Sequence, residues 1–470
     1  MVKDILIGRK FEQETLKECI ESPRAEFIAV YGRRRVGKTY LIKQYFKNKF
    51  DFYVTGIYGG TKQEEIAHFY KQLNSKSRKA FIATNNWFDA FEDLQKYLSG
   101  LKKSKIIIFI DEMPWLDTHN SKFIKALELF WNSWASDCAK LKLIVCGSAT
   151  TWMTNKLIAT KGGLHNRITH KMHIAPFSLG ETEQYLTKSG FVWNRYQIAE
   201  LYMILGGIPF YLSMLKSKLN FADNINALFF VENGEMRGEY DILFNSLFND
   251  SKNYKTVVEL LATKKSGITR NELLKQSKIE GGRLSDILKN LESCDFLRHY
   301  NAFGMKERDV MYQLTDNFVL FYLSFKSDFF SGNESFWQNF TDSGKHRAWS
   351  GYAFEQVCLN HTRQIKNALG ISGIRSEICS WSNPNAQIDL LINRNDNVIN
   401  LCEMKYSLAP YEIKKQYYEK ITERRELFRT VAKTNKALHL TFITTYPLAK
   451  NQYSGMVQQV ITLKDIFQIL

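Results

Sequence analysis

Gly32-Arg33-Arg34-Arg35-Val36-Gly37-Lys38-Thr39 spells G-x-x-x-x-G-K-T, and each fixed position has a task in holding a polyphosphate. Gly32 and Gly37 let the chain curl until successive backbone N–H groups point at phosphate oxygens, and the N-terminus of a following helix adds partial positive charge. The Lys38 ammonium is expected to reach the β- and γ-phosphates and the Thr39 hydroxyl to ligate Mg²⁺. The flanks agree: Phe27-Ile28-Ala29-Val30-Tyr31 is an apolar, β-prone run, and the residues from Tyr40 to Phe46 read as a helix. The stretch from Gly32 to Tyr40 is therefore expected to bind a nucleotide.

A second strand, Lys105-Ile106-Ile107-Ile108-Phe109-Ile110, ends in Asp111-Glu112. It looks like a Walker B element, in which Asp111 holds the Mg²⁺ shell and Glu112 polarises the attacking water. A third strand, Leu141 to Gly147, ends in Ser148, which reads either as a sensor of the γ-phosphate or as a strand-end cap. Downstream lie Gly162-Gly163-Leu164-His165-Asn166-Arg167, where Arg167 is the candidate for a cation supplied to the transition state, in cis or across a subunit interface. His165, His170 and His173 have no Cys or acidic partners at metal-site spacing.

The elements that must position these residues extend over a long, globular chain. Its 470 residues suggest about three domains. The 64 Lys and Arg against 48 Asp and Glu give a net charge of +16, which suits a polyanionic partner such as nucleic acid. Seven scattered cysteines without C-x-x-C spacing indicate neither a disulfide framework nor a zinc site, as expected in a reducing cytoplasm. Met1-Val2-Lys3-Asp4 does not open a long apolar segment, and no run approaches the ~18 apolar residues of a membrane span, so a cytoplasmic protein without a membrane partner is expected. Before the phosphate loop, a short apolar piece and a Gly8-Arg9 turn lead into a helix expected to carry Phe11, Leu16 and Ile20 on one side. Residues 51–104 carry no recognisable motif.

GRRRVGKT, IIIFIDE, CGSAT, HNRITHKMHIAPFSL and LGGIPFYL follow one another in an order that resembles the archaeal-type ATPase family of the AAA+/STAND lineage, over roughly the first half of the chain. The resemblance implies an α/β fold with a parallel-sheet P-loop core (1–177) and a helical lid (178–245), and ATP with Mg²⁺ as the ligands. It also implies that Gly8 and Arg9 fold over the adenine base.

Residues 251–300 alternate helix and turn. Thr269 caps the second helix, Leu284, Ile287, Leu288 and Leu291 form the apolar stripe of the third, and 296–300 with 310–314 make a hairpin. This order resembles a winged helix (246–340). The segment holds ten Lys and Arg against six Asp and Glu, a modest surplus, so DNA binding and protein docking, including a homo-oligomeric contact, both stay open.

In the last part, 341–470, a helix bearing Glu355 precedes Gln387-Ile388-Asp389, a turn at Asn395-Asp396-Asn397, and Glu403-Met404-Lys405. The spacing is that of a β-hairpin with Glu403 and Lys405 on one face. D…E-x-K with an upstream helical Glu resembles the PD-(D/E)xK nuclease superfamily, in the DUF234 version fused to archaeal-type ATPases. The resemblance implies a restriction-endonuclease-like α/β domain, with Glu355, Asp389 and Glu403 around a second divalent metal and Lys405 orienting the attacking water. One departure is that Gln387-Ile388, without a proline, precedes Asp389. The function expected is Mg²⁺-dependent ATP hydrolysis coupled to a nucleic-acid-directed module, DNA being the favoured partner. The alternative is a nucleotide-gated switch whose last domain binds without cutting.

Overall fold

The computed structural model describes residues 6–148, 150–158, 164, 166–304, 310–341 and 343–470. The chain forms two compact units, 2–175 and 176–470.

The first unit begins with helix α1 (Lys10–Glu21) and strand β1 (Glu26–Tyr31), and continues with helix α2 (Lys38–Tyr45) and β2 (Phe52–Thr55). β3 (Ile106–Asp111), β4 (Leu141–Gly147) and β5 (His170–His173) complete a five-stranded sheet in the order β2-β3-β4-β1-β5. Every pairing is parallel. Strands covered on both faces need continuous apolar runs, and β1, β3 and β4 have them. Because the strands run the same way, the loops after β1, β3 and β4 all open at one end of the sheet, and this is what gathers the nucleotide motifs.

The core under the sheet mixes aliphatic and aromatic side chains. Helix Trp87–Ser99 buries Trp87, Ala90, Phe91, Leu94 and Leu98, the i, i+3, i+4, i+7 stripe of an amphipathic helix. Trp87 meets Phe123 edge-on with ring centroids 4.9 Å apart. Burial of each such side chain contributes about 1.5–3 kcal/mol. Asn86 starts this helix by accepting the Asp89 N–H, and Thr61 with Glu64 forms a capping box at the start of helix Lys62–Lys76. In α1 the buried positions are Leu16 and Cys19, whereas Phe11 is 76% exposed. Phe11 lies five positions before Leu16, which turns it off the buried face, and Ile20 is only half-buried, its neighbour Cys19 being the buried one.

In the second unit, helices Leu179–Lys188 and Arg195–Leu205 come first. The latter ends at Gly206 and Gly207, both at positive φ, and Pro209 begins the next helix. A Cβ on Gly207 would lie 2.3 Å from Phe177 O, so the break admits only glycine there. Helices Ser251–Thr263, Arg270–Ser277 and Gly281–Ser293 accompany a three-stranded sheet of β6 (Ile268–Thr269), β7 (Leu297–Tyr300) and β8 (Met311–Leu314), ordered β6-β8-β7. Thr269 and Glu272 form a capping box, and Leu284, Ile287, Leu288 and Leu291 are all buried.

The chain ends in a mixed sheet ordered β13-β12-β11-β10-β9. Its strands are β9 (Ser376–Asn383), β10 (Ala386–Arg394), β11 (Val398–Lys405), β12 (Ala437–Thr444) and β13 (Gln459–Thr462). β9, β10 and β11 pair antiparallel, while β11, β12 and β13 pair parallel, with helix Lys415–Ala432 as the crossover between β11 and β12. The architecture is α/β throughout: a parallel-sheet core followed by a further mixed-sheet domain. Among the described residues, no helix is long and apolar enough to cross a membrane.

Candidate nucleotide site and the C-terminal carboxylate cluster

Tyr31 ends β1 and the chain turns at Gly32, whose φ of 143° and whose approach to Ile174 (2.4 Å from the position of a Cβ to the carbonyl oxygen) exclude any side chain. Arg35 and Gly37 also take positive φ, at 74° and 89°, so the loop from Gly32 to Gly37 curls tightly before α2 starts at Lys38. Lys38 is buried, and its ammonium donates to Gly32 O at 2.9 Å and Arg33 O at 2.8 Å. The cation is thus folded over its own loop. Val36 and Arg33 are buried, Arg34 and Arg35 half-buried, and Tyr40 is exposed on the outer side of α2.

Gly8 and Arg9 both take positive φ, and Arg9 reaches the same loop. The buried Arg9 guanidinium donates to Val36 O at 3.1 Å and sits 3.5 Å from the Glu12 carboxylate. It braces the phosphate loop.

Asp111 arrives from β3 although β4 lies between β3 and β1. The Thr39 hydroxyl donates to Asp111 Oδ1 at 3.0 Å, which closes that gap. Burial, then the neighbouring Glu112 charge, raises Asp111 above the ordinary carboxylate value, while the Thr39 and Cys146 hydrogen bonds work against this. A hydroxyl and a buried carboxylate in contact, with surplus negative charge beside them, fit a hard divalent cation. Thr39 and Asp111 would hold Mg²⁺, with phosphate and water oxygens as its other ligands.

Glu112 sits at the left-handed φ of 43°, just past the strand. That turn aims its carboxylate at the tip of β4, where Oε2 accepts Ser148 Oγ–H at 2.8 Å and Ser148 N–H at 3.0 Å. Ser148 therefore meets Glu112 directly. The Gly56 N–H, donating to Asp111 O at 3.0 Å, ties the loop after β2 to the same corner; no motif marked this contact.

Arg167 is not brought to the loop. It is exposed and precedes β5, and Thr169 N–H bonds Phe27 O near the start of β1. Because β5 runs parallel to β1, Arg167 lies toward the end of the sheet opposite Gly32, out of reach as a cation supplied in cis. Gly162, Gly163 and His165 lie outside the described residues. His170 instead stands 3.6 Å from the buried Glu26.

In the C-terminal sheet, Leu390 pairs with Cys402 and Leu391 with Leu401, so one further step of the register sets Asp389 opposite Glu403. Glu355, on helix Gly344–Asn360, is within electrostatic reach of both; burial and the Asp389 charge push it up to about 8, against the pull of Lys405 and Lys265. Glu403 is already engaged. Its Oε1 accepts the Arg424 guanidinium and its Oε2 the Tyr417 hydroxyl at 2.5 Å, with Lys405 Nζ 4.0 Å away. Gln387 donates its amide to Asp389 Oδ1. Among the described residues no three His, Cys, Asp or Glu side chains form a group able to hold a metal ion. Both Glu403 oxygens thus already accept protein donors, and a second metal there would have to share them. Arg424 escaped the motif reading, yet a signal was present: Tyr417, Ile421, Arg424 and Phe428 recur at helical spacing, placing one charge within an otherwise apolar stripe.

Residues 6–215 match the family described as an ATPase domain predominantly from Archaea. An uncharacterised protein of Methanocaldococcus jannaschii is 26% identical over 430 residues, covering 90% of this chain and 91% of that one. An uncharacterised ATP-binding protein of the same organism is 47% identical over 45 residues, 10% of this chain and 76% of the other. Among solved structures, the Walker-type ATPase PABY2304 of Pyrococcus abyssi is similar at 20% identity and a TM-score of 0.49, over 68% of this chain and 97% of that one. The ORC2 protein of Aeropyrum pernix, in its ADPNP–ADP complexes, is similar at 13% identity and a TM-score of 0.45, over 70% and 96%. The family match takes in the phosphate loop, Asp111, Glu112 and Ser148, and the chain is an ATPase.

Proposed function

We propose that Mg²⁺-dependent ATP hydrolysis at the phosphate loop drives or gates a nucleic-acid-directed C-terminal domain. The observation that carries the catalytic half is the junction of three strand ends, in which Thr39 bonds Asp111 and Glu112 bonds Ser148. On ATP binding, Lys38 exchanges its two loop carbonyls for β- and γ-phosphate oxygens, and the loop N–H groups take the remaining charge. Thr39 and Asp111 would hold Mg²⁺, which would supply charge neutralisation to the phosphates when bound. Glu112 accepts a proton from the attacking water as its oxygen bonds Pγ and the Pγ–O bond to ADP breaks. Phosphate and ADP leave, and the proton passes to solvent. Ser148 orients Glu112 and senses the γ-phosphate. Arg167 keeps only the trans role, toward a second copy of the chain.

The nucleic-acid half rests on the net charge of +16, on the three helices and β6-β8-β7 sheet that support the winged-helix reading, and on the gathering of Glu355, Asp389, Glu403 and Lys405. DNA is the favoured partner. Of the two modes, cutting and binding, the Arg424–Glu403 contact favours binding, which is the nucleotide-gated switch with a non-cleaving module. The test is a cleavage and binding assay on single-stranded DNA, duplex DNA and RNA, with Mg²⁺ or Mn²⁺ and with or without ATP. Binding that responds to ATP supports the coupling; absence of binding to all three nucleic acids would remove the nucleic-acid half and leave the ATPase.

A further inference from the structure

We infer that Glu65 is a positioning residue for ATP hydrolysis: through the loop that follows β2, residues 56–60, it holds the Asp111-Glu112 turn in the conformation that aims the Glu112 carboxylate. This rests on the reading of Glu112 as the base and adds a residue that acts through it.

Glu65 lies on helix Lys62–Lys76, whose other buried positions are Ile66, Phe69, Tyr70 and Leu73. It is fully buried, where an apolar side chain would pack at less cost. The start of the helix does not need it, because Thr61 and Glu64 already form the capping box. The carboxyl serves the loop instead. Its Oε1 accepts the Ile57 N–H at 2.8 Å. Gly60, whose N–H closes a turn onto Ile57 O at 3.0 Å, comes so near that a Cβ there would stand 2.8 Å from the same Glu65 oxygen. Glu65 Oε2 meets no hydrogen-bond partner. A buried carboxyl with one oxygen unsatisfied costs stability, and what it secures is the backbone of 56–60.

That backbone bears directly on the turn. The Gly56 N–H donates to Asp111 O at 3.0 Å, and a Cβ on Gly56 would lie 2.6 Å from Glu112 O and 2.9 Å from Trp115 Cβ. The bare glycine is thus pressed against the peptide that follows Glu112. Glu112 needs such support, since at a φ of 43° it takes a left-handed conformation that a residue with a side chain keeps only where its surroundings over-determine it. Within the turn, Glu112 N–H bonds Asp111 Oδ1 at 3.1 Å and Trp115 N–H bonds Glu112 O at 3.0 Å. Gly56 adds a contact from another strand end. The outer side of the loop cannot hold it there, because Ile57 is 38% and Tyr58 67% exposed, and so the inner bond to Glu65 sets where Gly56 sits.

The test compares Glu65→Met, which fills the space without an acceptor, Glu65→Gln, which keeps one, and Gly56→Ala, which strikes the turn from the loop side. Steady-state phosphate release, calorimetric ATP affinity and thermal unfolding are measured on each. Glu65→Met and Gly56→Ala should lower kcat about tenfold, with KM and ATP affinity within about twofold of wild type, as a misaimed base requires. Glu65→Gln should restore kcat to within about twofold of wild type. Introduced into Glu112→Gln, Glu65→Met should lower turnover no further, since the group it positions is gone. A folded Glu65→Met with wild-type kcat, a loss in ATP affinity in place of kcat, Glu65→Gln as slow as Glu65→Met, or a further loss in the Glu112→Gln background would each overturn the inference and leave Glu112 as the base. Should Glu65→Met not fold, Gly56→Ala with wild-type kcat would overturn it equally. Wild-type turnover in Glu112→Gln alone would overturn both.

Discussion

Glu112 and Ser148 meet across two neighbouring parallel strands: one carboxylate oxygen receives both the hydroxyl and the backbone N–H of Ser148, at 2.8 and 3.0 Å. The acid proposed to activate water is therefore aimed by a residue from another strand. Removing the hydroxyl leaves the weaker half of that grip. Ser148→Ala should lower kcat about tenfold, the weight of one hydrogen bond to a charged group, with KM for ATP little changed. Ser148→Thr keeps the donor and should stay close to wild type. Steady-state phosphate release checks both, and a Thr variant as slow as Ala would mean that the hydroxyl is not the aiming group.

Lys38 is the charge that ATP must recruit. Its two hydrogen bonds to Gly32 O and Arg33 O hold it at the loop and can be exchanged for phosphate oxygens. Lys38→Ala should abolish measurable ATP binding by calorimetric titration; unchanged affinity would place the nucleotide elsewhere.

Gly32 is fixed by geometry rather than chemistry. A methyl group there would lie 2.4 Å from Ile174 O at a φ of 143°. Gly32→Ala should cost about 2–4 kcal/mol of stability in denaturant unfolding, from a clash and backbone strain together. It should also lose ATP binding, whereas Gly59→Ala, with nothing within 4 Å of the added carbon, should cost less.

Glu65 predicts a pH dependence. It is fully buried, its Oε1 accepts the Ile57 N–H at 2.8 Å, and burial pushes it from 4.5 up to about 7. A carboxyl raised on folding holds its proton better in the native than in the unfolded chain. Its contribution is thus fully present below pH 4.5 and is lost as pH rises toward 7. Glu65→Gln should flatten this part of the stability–pH curve in thermal unfolding at fixed ionic strength, and an unchanged slope would show that Glu65 does not titrate there.

The nucleotide site was legible because its parts are local. Strand, loop and helix around Lys38 are contiguous, and Asp111-Glu112 announces itself at the end of an apolar strand. The hairpin carrying Asp389 and Glu403 was legible for the same reason, its turn marked by Asn397 at a φ of 62°. What could not be read depends on pairings between distant residues. The order of the chain puts Arg167 downstream of the nucleotide motifs, but the parallel pairing of β5 with β1 carries it toward the far end of the sheet. Residues 51–104 held no motif, yet they supply Gly56 beside Asp111 and the Phe69–Trp87–Phe91 packing under the sheet. Arg424 lies 21 positions from the carboxylate it neutralises, on a helix whose face is set only when the crossover packs on β11. A two-carboxylate motif cannot disclose that a third residue occupies it.

The proposed mechanism has ATP bound at Lys38 and Thr39 and hydrolysed with Glu112 as the base. The most direct measurement is phosphate release and calorimetric ATP affinity on Glu112→Gln beside wild type. The substitution keeps the shape of the side chain and removes its basicity, so the account predicts affinity within about threefold of wild type and turnover reduced about 10²-fold or more. Turnover near the wild-type rate, with ATP bound equally well, would contradict it.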